Sequence, residues 1–206
     1  MPLEIEIKFP VTDLAEVRRA AQGLGAHCLG RCFEENIVFD DPERSLRRRG
    51  MLLRLRSAGV NTLTLKRPCD LKTAECYKAM DEVETIVEDF AAMTEVLTAL
   101  GYEPALRYEK VRETWDLDGV HICLDLLPFG RFVELEGEEE AIERTAKRLG
   151  LPLADGCARN YHELRQEAQR RAGVPLTDDF VFTEEARLRL KDAENDEAWL
   201  KDPAGI

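Results

Sequence analysis

The feature that most constrains this chain is an alternation of charged and apolar residues, with a period of two, that recurs in segment after segment. In the opening LEIEIKF, Leu3, Ile5, Ile7 and Phe9 alternate with Glu4, Glu6 and Lys8. That is the pattern of a strand with one face on a core and the other polar. MLLRLRS sets Arg54 and Arg56 against Met51, Leu53 and Leu55, and TLTLKRP sets Thr62, Thr64 and Lys66 against Leu63 and Leu65. YEKVRETW carries Lys110, Arg112 and Thr114 opposite Val111 and Trp115. HICLDLL places Asp125 opposite Ile122, Leu124 and Leu126, and RFVELEG places Phe132, Glu134 and Glu136 opposite Val133 and Leu135. A solvated face explains any one of these strands. Together they show acids gathered on some strands and bases on others, although like charges set as neighbours destabilise a sheet. A sheet closed into a barrel with its polar faces inward would bring both sets into one lumen. Burying so many charges is costly unless water, a divalent metal and a polyanion share the space.

Helical patterns separate the strands. Asp13 is placed to cap a helix, with Glu16 at the capping-box position and Leu14, Val17, Ala21 and Leu24 as its apolar stripe. A second helix is predicted over 89–100 and a third over 138–149. Each follows a strand carrying Glu-x-Glu (Glu4/Glu6, Glu82/Glu84, Glu134/Glu136) and each ends in Leu-Gly, a loose internal repeat that predicts pseudo-symmetric halves. GLGAHCLG lies at a helix end and reads as a cap, not as a phosphate loop. One more amphipathic helix is expected over 159–172. Beyond Asp192, DAENDEAWLKDPAGI reads as a frayed acidic tail, with Trp199 a tail residue. The combination predicts an α+β fold with a mostly antiparallel sheet.

Bulk charge narrows the function. With 29 basic and 41 acidic residues the balance is −12, which argues against nucleic acid or an anionic membrane as partner. A local exception runs from Arg44 to Arg67, where eight Lys/Arg occur without an acid. Its RSLRRRG stretch fits a solvated turn or a positive rim that draws polyphosphates in. Charges in the first strand argue against a cleaved leader, and no stretch approaches the ~20 apolar residues of a membrane helix. The six cysteines show no C-x-x-C spacing, so neither zinc nor a redox pair is indicated; scattered thiols suit a reducing cytoplasm. The three histidines lack a motif and read as ordinary.

The residue types suit one another. Paired carboxylates are what hard cations such as Mg²⁺ or Mn²⁺ prefer. Arginines grip phosphate oxygens bidentately and lysines act as point charges. Several bases facing a metal suit a ligand with adjacent phosphates, such as a triphosphate.

Glu4-x-Glu6-x-Lys8, followed in order by NIVFDDPERSLRRRGMLLRLR, LTLKRP, EKVRETW and LDLLPFGRFVELEG, resembles the CYTH superfamily, the triphosphate tunnel metalloenzymes. The resemblance runs from residue 3 to about 165. It implies an eight-stranded antiparallel β-barrel forming a tunnel, with flanking helices, over residues 1–172, and a C-terminal extension over 173–206 that is partly helical with an acidic tail. It also implies a metal-dependent enzyme acting on a small triphosphate (tripolyphosphate, thiamine triphosphate or ATP), cytoplasmic, monomeric or homodimeric, without nucleic acid or membrane as partner. Hydrolysis is the favoured reaction. The alternatives are a class IV adenylyl cyclase, which makes cyclic AMP and pyrophosphate, and a non-catalytic polyphosphate- or nucleotide-binding module.

Residue by residue, the resemblance implies that Glu4 and Glu6 are ligands of Mg²⁺ or Mn²⁺. Glu134 and Glu136 would be the acidic pair of the opposite wall, and Asp125 a further acidic ligand. Lys8, Arg54, Arg56, Lys66, Lys110 and Arg112 would hold phosphate, with Lys8, Lys66 and Lys110 catalytic. ARNYHEL is similar to the family's C-terminal helix, which would put Arg159 near the tunnel mouth. One departure stands out: where the family often has a base two residues before the mid-chain Glu-x-Glu, this chain has Met80, with Lys78 nearby.

Overall fold

The computed structural model describes residues 3–71, 73–192 and 198–201. Eight strands form one closed antiparallel barrel: β1 (Leu3–Val11), β2 (His27–Asp40), β3 (Leu52–Ala58), β4 (Val60–Pro68), β5 (Lys78–Ile86), β6 (Glu103–Leu117), β7 (Val120–Leu127) and β8 (Gly130–Glu136). Their order around the ring is β1-β5-β4-β3-β2-β6-β7-β8. Registers such as Ile7 opposite Leu135, Leu55 opposite Ile37 and Trp115 opposite Ile122 bring the apolar residues of adjacent strands onto one face. With a side-chain period of two, the charged residues then share the other face, the lumen.

The hydrophobic core therefore lies outside the barrel wall, under the helices. Ile5, Ile7, Phe9, Trp115, Ile122, Leu124, Val133 and Leu135 pack with Leu14, Val17 and Ala21 of α1 (Leu14–Gly23) and with Ile142, Ala146 and Leu149 of α4 (Glu139–Leu149). Asp13 caps α1 as expected, its carboxylate accepting the N–H groups of Ala15 at 2.7 Å and Glu16 at 3.3 Å. A one-turn α2 (Ser45–Arg48) joins β2 to β3. A smaller cluster of Phe39, Leu55, Val87 and Leu97 seats α3 (Phe90–Ala99) on the β2–β3 wall.

One close approach helps to build the site. Lys8 and Cys157 exchange backbone hydrogen bonds of 3.0 and 2.8 Å, so the chain after α4 runs along the upper part of β1. A Cβ at Gly156 would stand 2.5 Å from Ile7 Cδ1, so only glycine lets the segment come this near. That contact delivers α5 (Tyr161–Ala172) to one end of the barrel, its start fixed by a reciprocal Asn160/Glu163 capping box.

Three expectations are corrected. The Glu-x-Glu strands do not divide the molecule into halves. β1 pairs with both β5 and β8, so the three acidic strands stand side by side as one wall. Glu134 and Glu136 consequently adjoin Glu6 and Lys8 instead of facing them from across the barrel. Trp199 is not a loose tail residue, because α7 (Ala198–Lys201) buries Trp199 and Leu200 in the core beside α1. The remainder of the acidic tail lies outside the described residues, apart from the end of α6 (Glu184–Asp192).

Candidate active site

The lumen holds a cavity of about 580 Å³. Of the residues singled out by sequence, Glu4, Glu6, Lys8, Arg54, Arg56, Lys66, Lys110, Arg112, Glu134 and Glu136 line it. Asp125 is fully buried just behind them. Arg159 does not reach it: that side chain is half exposed and paired with Glu167. Asn160, Tyr161, His162 and Glu163 line the cavity instead, because the first turn of α5 faces inward one residue later.

Ion pairs hold the charges in place. On the acidic wall, Lys8 Nζ lies 2.7 Å from Glu6 and 3.0 Å from Glu134, and Lys78 Nζ lies 3.0 Å from Glu6. Burial alone would lower the pKa of Lys8, but Glu134 and Glu6 outweigh it and keep the ammonium charged. Lys66 bridges Glu4 and Glu82, the latter at 3.1 Å. Arg112 grips Asp125 bidentately at 2.7 and 2.6 Å and also reaches Glu134 and Glu136, each at 3.2 Å. Lys110 sits between Asp125 at 3.2 Å and Glu34 at 3.6 Å. Burial would raise the Asp125 carboxyl, but Arg112 and Lys110 reverse this and hold it below the usual range. Glu136, by contrast, is pushed up by burial. The Tyr161 hydroxyl donates between Asp125 at 2.5 Å and Glu134 at 3.0 Å, and burial with those two carboxylates raises its pKa far above that of free tyrosine.

Arg54 stands apart. Its guanidinium is buried, donating at 3.2 Å to the Tyr108 hydroxyl and at 3.5 Å to Thr64 Oγ1, while Nε has no partner. Glu34 and Glu82 act on it only from a distance; among the described residues no carboxylate closes an ion pair with it.

The acids divide into two kinds. One oxygen from each of Glu4, Glu6 and Glu136 comes within 4.8 Å of the others, a purely carboxylate donor set that fits a hard divalent cation. Those three also pair with bases, Glu4 with Lys66, Glu6 with Lys8 and Lys78, and Glu136 with Arg112, whereas Asp125 and Glu134 stand outside that cluster and accept the Tyr161 hydroxyl in addition to their bases.

Several groups in or beside the cavity had no site role in the sequence reading. Glu34 is buried in β2, whose alternation of Cys32, Glu34 and Asn36 carried the signal but lay beneath a run of mixed polarity. Lys78, Met80, Glu82 and Glu84 face inward from β5, so Lys78 supplies a base on the face where Met80 replaces one. Arg44 and Arg47 reach the rim from the RSLRRRG turn. His162 is not ordinary: it lines the cavity, 2.7 Å from Asp178. His121 lies 3.9 Å from Glu136, and that carboxylate raises its pKa.

The sequence matches the CYTH domain over residues 2–161. The chain belongs to the CYTH family. Members of this family are metal-dependent adenylyl cyclases or triphosphatases. A Methanocaldococcus jannaschii protein whose name marks it as a candidate adenylate cyclase is 29% identical over 136 residues, 65% of this chain and 76% of that one. A candidate adenylate cyclase from Vibrio parahaemolyticus superposes with a TM-score of 0.68 at 24% identity, covering 79% of this chain and 97% of that one. A Hippeastrum protein, described as a candidate adenylyl cyclase with a dominant triphosphatase activity, gives 0.58 at 19% identity, covering 85% and 98%. The last two likenesses concern the fold. Among the described residues no helix is long and apolar enough to cross a membrane.

Proposed function

We propose that this protein is a metal-dependent triphosphatase that hydrolyses a triphosphate inside its barrel. The observation that carries the reading is Arg54, a buried guanidinium without a carboxylate, facing a cavity whose far wall gathers three carboxylates. A buried unpaired cation is costly, and an anionic ligand offsets that cost. Glu4, Glu6 and Glu136 are the residues that would hold a divalent ion, which when bound neutralises phosphate oxygens as a Lewis acid.

The chain's own residues do the remainder. Arg54, Arg56 and Arg112 grip non-bridging oxygens, while Lys8, Lys66 and Lys110 place ammonium charge where it develops during transfer. Asp125 and Glu134 keep Lys110, Arg112 and Lys8 charged and aimed. Water attacks the terminal phosphorus in line, the bridging P–O bond breaks with the diphosphate remainder of the substrate as leaving group, and water's proton passes to solvent as inorganic phosphate forms. Catalysis is positioning and charge neutralisation. Hydrolysis is preferred over cyclisation because it asks only that water reach the terminal phosphorus, and the Hippeastrum protein shows that a cyclase name can accompany dominant hydrolysis on this fold.

The test incubates purified protein with tripolyphosphate, thiamine triphosphate or ATP, each with Mg²⁺ or Mn²⁺. Phosphate release supports the reading. Pyrophosphate with cyclic AMP would replace it by the cyclase, and binding without turnover by a binding module.

A further inference from the structure

The family match ends at residue 161, yet the chain beyond it returns to the tunnel. After α5 the backbone runs beside β6: the Phe180 N–H donates to the Arg107 carbonyl at 3.0 Å, and the Glu109 N–H donates to the Phe180 carbonyl at 3.1 Å. Asp179 accepts the Arg107 N–H at 2.7 Å. These bonds lay Phe180 against Tyr108, with ring centroids 5.1 Å apart and planes 25° from parallel. Phe129 meets the Phe180 ring edge-on, at 5.4 Å, so that ring is held from two sides. Tyr108 in turn offers its hydroxyl to Arg54 Nη1 at 3.2 Å. Farther on, the segment is clamped to the outer wall. The Phe182 N–H donates to Glu109 at 3.0 Å, Arg187 pairs with Glu109 at 2.5 Å and with Glu35, and Lys191 pairs with Glu35 at 2.8 Å.

We propose that residues 177–191 form a strap belonging to the binding site, in which Phe180 is a positioning residue: its ring fixes Tyr108, and the Tyr108 hydroxyl holds the Arg54 guanidinium toward the substrate's phosphates. The inference rests on the triphosphate reading of the tunnel and adds to it a part of the site supplied from outside the family domain. The physical gain is pre-organisation. An arginine free to rotate must be ordered when the ligand binds, whereas one already held loses less entropy per hydrogen bond formed.

Calorimetric titration of the full chain with tripolyphosphate and Mg²⁺ tests it, with melting temperatures measured alongside. Arg54→Met removes the cation and should weaken binding about ten- to a hundredfold. Tyr108→Phe, which keeps the ring, and Phe180→Leu, which keeps most of the apolar volume, should each weaken it roughly three- to tenfold. Because they act through one relay, the double variant should bind no worse than Tyr108→Phe alone. A lowered melting temperature with unchanged affinity in Phe180→Leu would reduce the strap to packing and overturn the proposal. Multiplying effects in the double variant would overturn the relay. Unchanged affinity in Arg54→Met would remove the triphosphate reading itself, a result distinct from failure of the strap alone.

Discussion

Replacing Arg54 by Met separates a ligand-binding charge from a structural one by setting its effect on stability against its effect on binding. In the free protein Arg54 is 8% exposed, and its guanidinium makes two bonds to neutral oxygens, without a carboxylate ion pair among the described residues. Burying a charge costs several kcal/mol after relaxation. Two such hydrogen bonds return about 1.5–3 kcal/mol each at most. Loss of the arginine leaves Thr64 still donating to Glu84 at 2.7 Å, so the polar group newly orphaned is the Tyr108 hydroxyl, at a cost of about 1–3 kcal/mol. Met fills much of the vacated volume without a charge. These terms roughly cancel, so we expect the ligand-free stability to lie within about 1–2 kcal/mol of the parent, which in a chain of this size moves the melting temperature by no more than roughly 2–8 °C. The same variant should lose most of the stabilisation that tripolyphosphate with Mg²⁺ gives the parent, since that rise follows from affinity. Differential scanning calorimetry with and without ligand reads both. A ligand-free melting temperature that falls well beyond that range, with the ligand-induced rise retained, would show that Arg54 serves the fold instead of the ligand, and the reasoning would be refuted.

Lys66→Met should lower the ligand-free melting temperature, because it strands Glu4 and Glu82, and a rise would contradict the ion-pair account. Glu6→Gln should leave the fold in place on circular dichroism yet demand at least about tenfold more Mg²⁺ for half-maximal phosphate release, because a hard cation loses a charged ligand; an unchanged Mg²⁺ titration would take Glu6 out of the donor set. Asp125 has a pKa below its unfolded value, so the unfolded chain binds its proton first, and its stabilisation is present above pH ~4 and lost as pH falls through the folded pKa. Asp125→Asn should therefore be less stable than the parent at neutral pH and show a shallower loss of melting temperature on acidification, and parallel curves for the two would refute that assignment.

The barrel was legible because its alternation is local. Leu3 to Phe9 announces a two-faced strand without knowledge of its neighbours, and so do five other strands. The pairing of charges was not legible. Lys66 meets Glu4 over the intervening β5 and Arg112 meets Glu136 over β7, and alternation says which face a residue takes but not which residue it will face. The order β5-β1-β8 turned a supposed repeat into a single acidic wall for the same reason. β2 was passed over because Glu34 and Glu35 are adjacent, one buried in the lumen and one outside at Arg187, which blurs the period. Tyr161, Phe180 and Trp199 reach their places through segments with no period of two, so the sequence offered only an expected helix, a C-terminal extension and its tail for them.

Closure of the ring has a kinetic consequence. Ile7 cannot meet Leu135, nor Cys28 meet Trp115, until most of the intervening chain has been laid down, whereas the hairpins β3–β4, β6–β7 and β7–β8 join near neighbours. Long-range pairing of this kind slows folding, since loop entropy is lost before contacts return it. While the sheet is open its inner charges remain hydrated, and they shed that water only as the last strands meet. Dehydration of the lumen then falls late on the route, on the native side of the hairpins. Variants that change the buried charge, Lys66→Met among them, should act chiefly on the rate at which the ring reopens, with little effect on how fast the hairpins assemble.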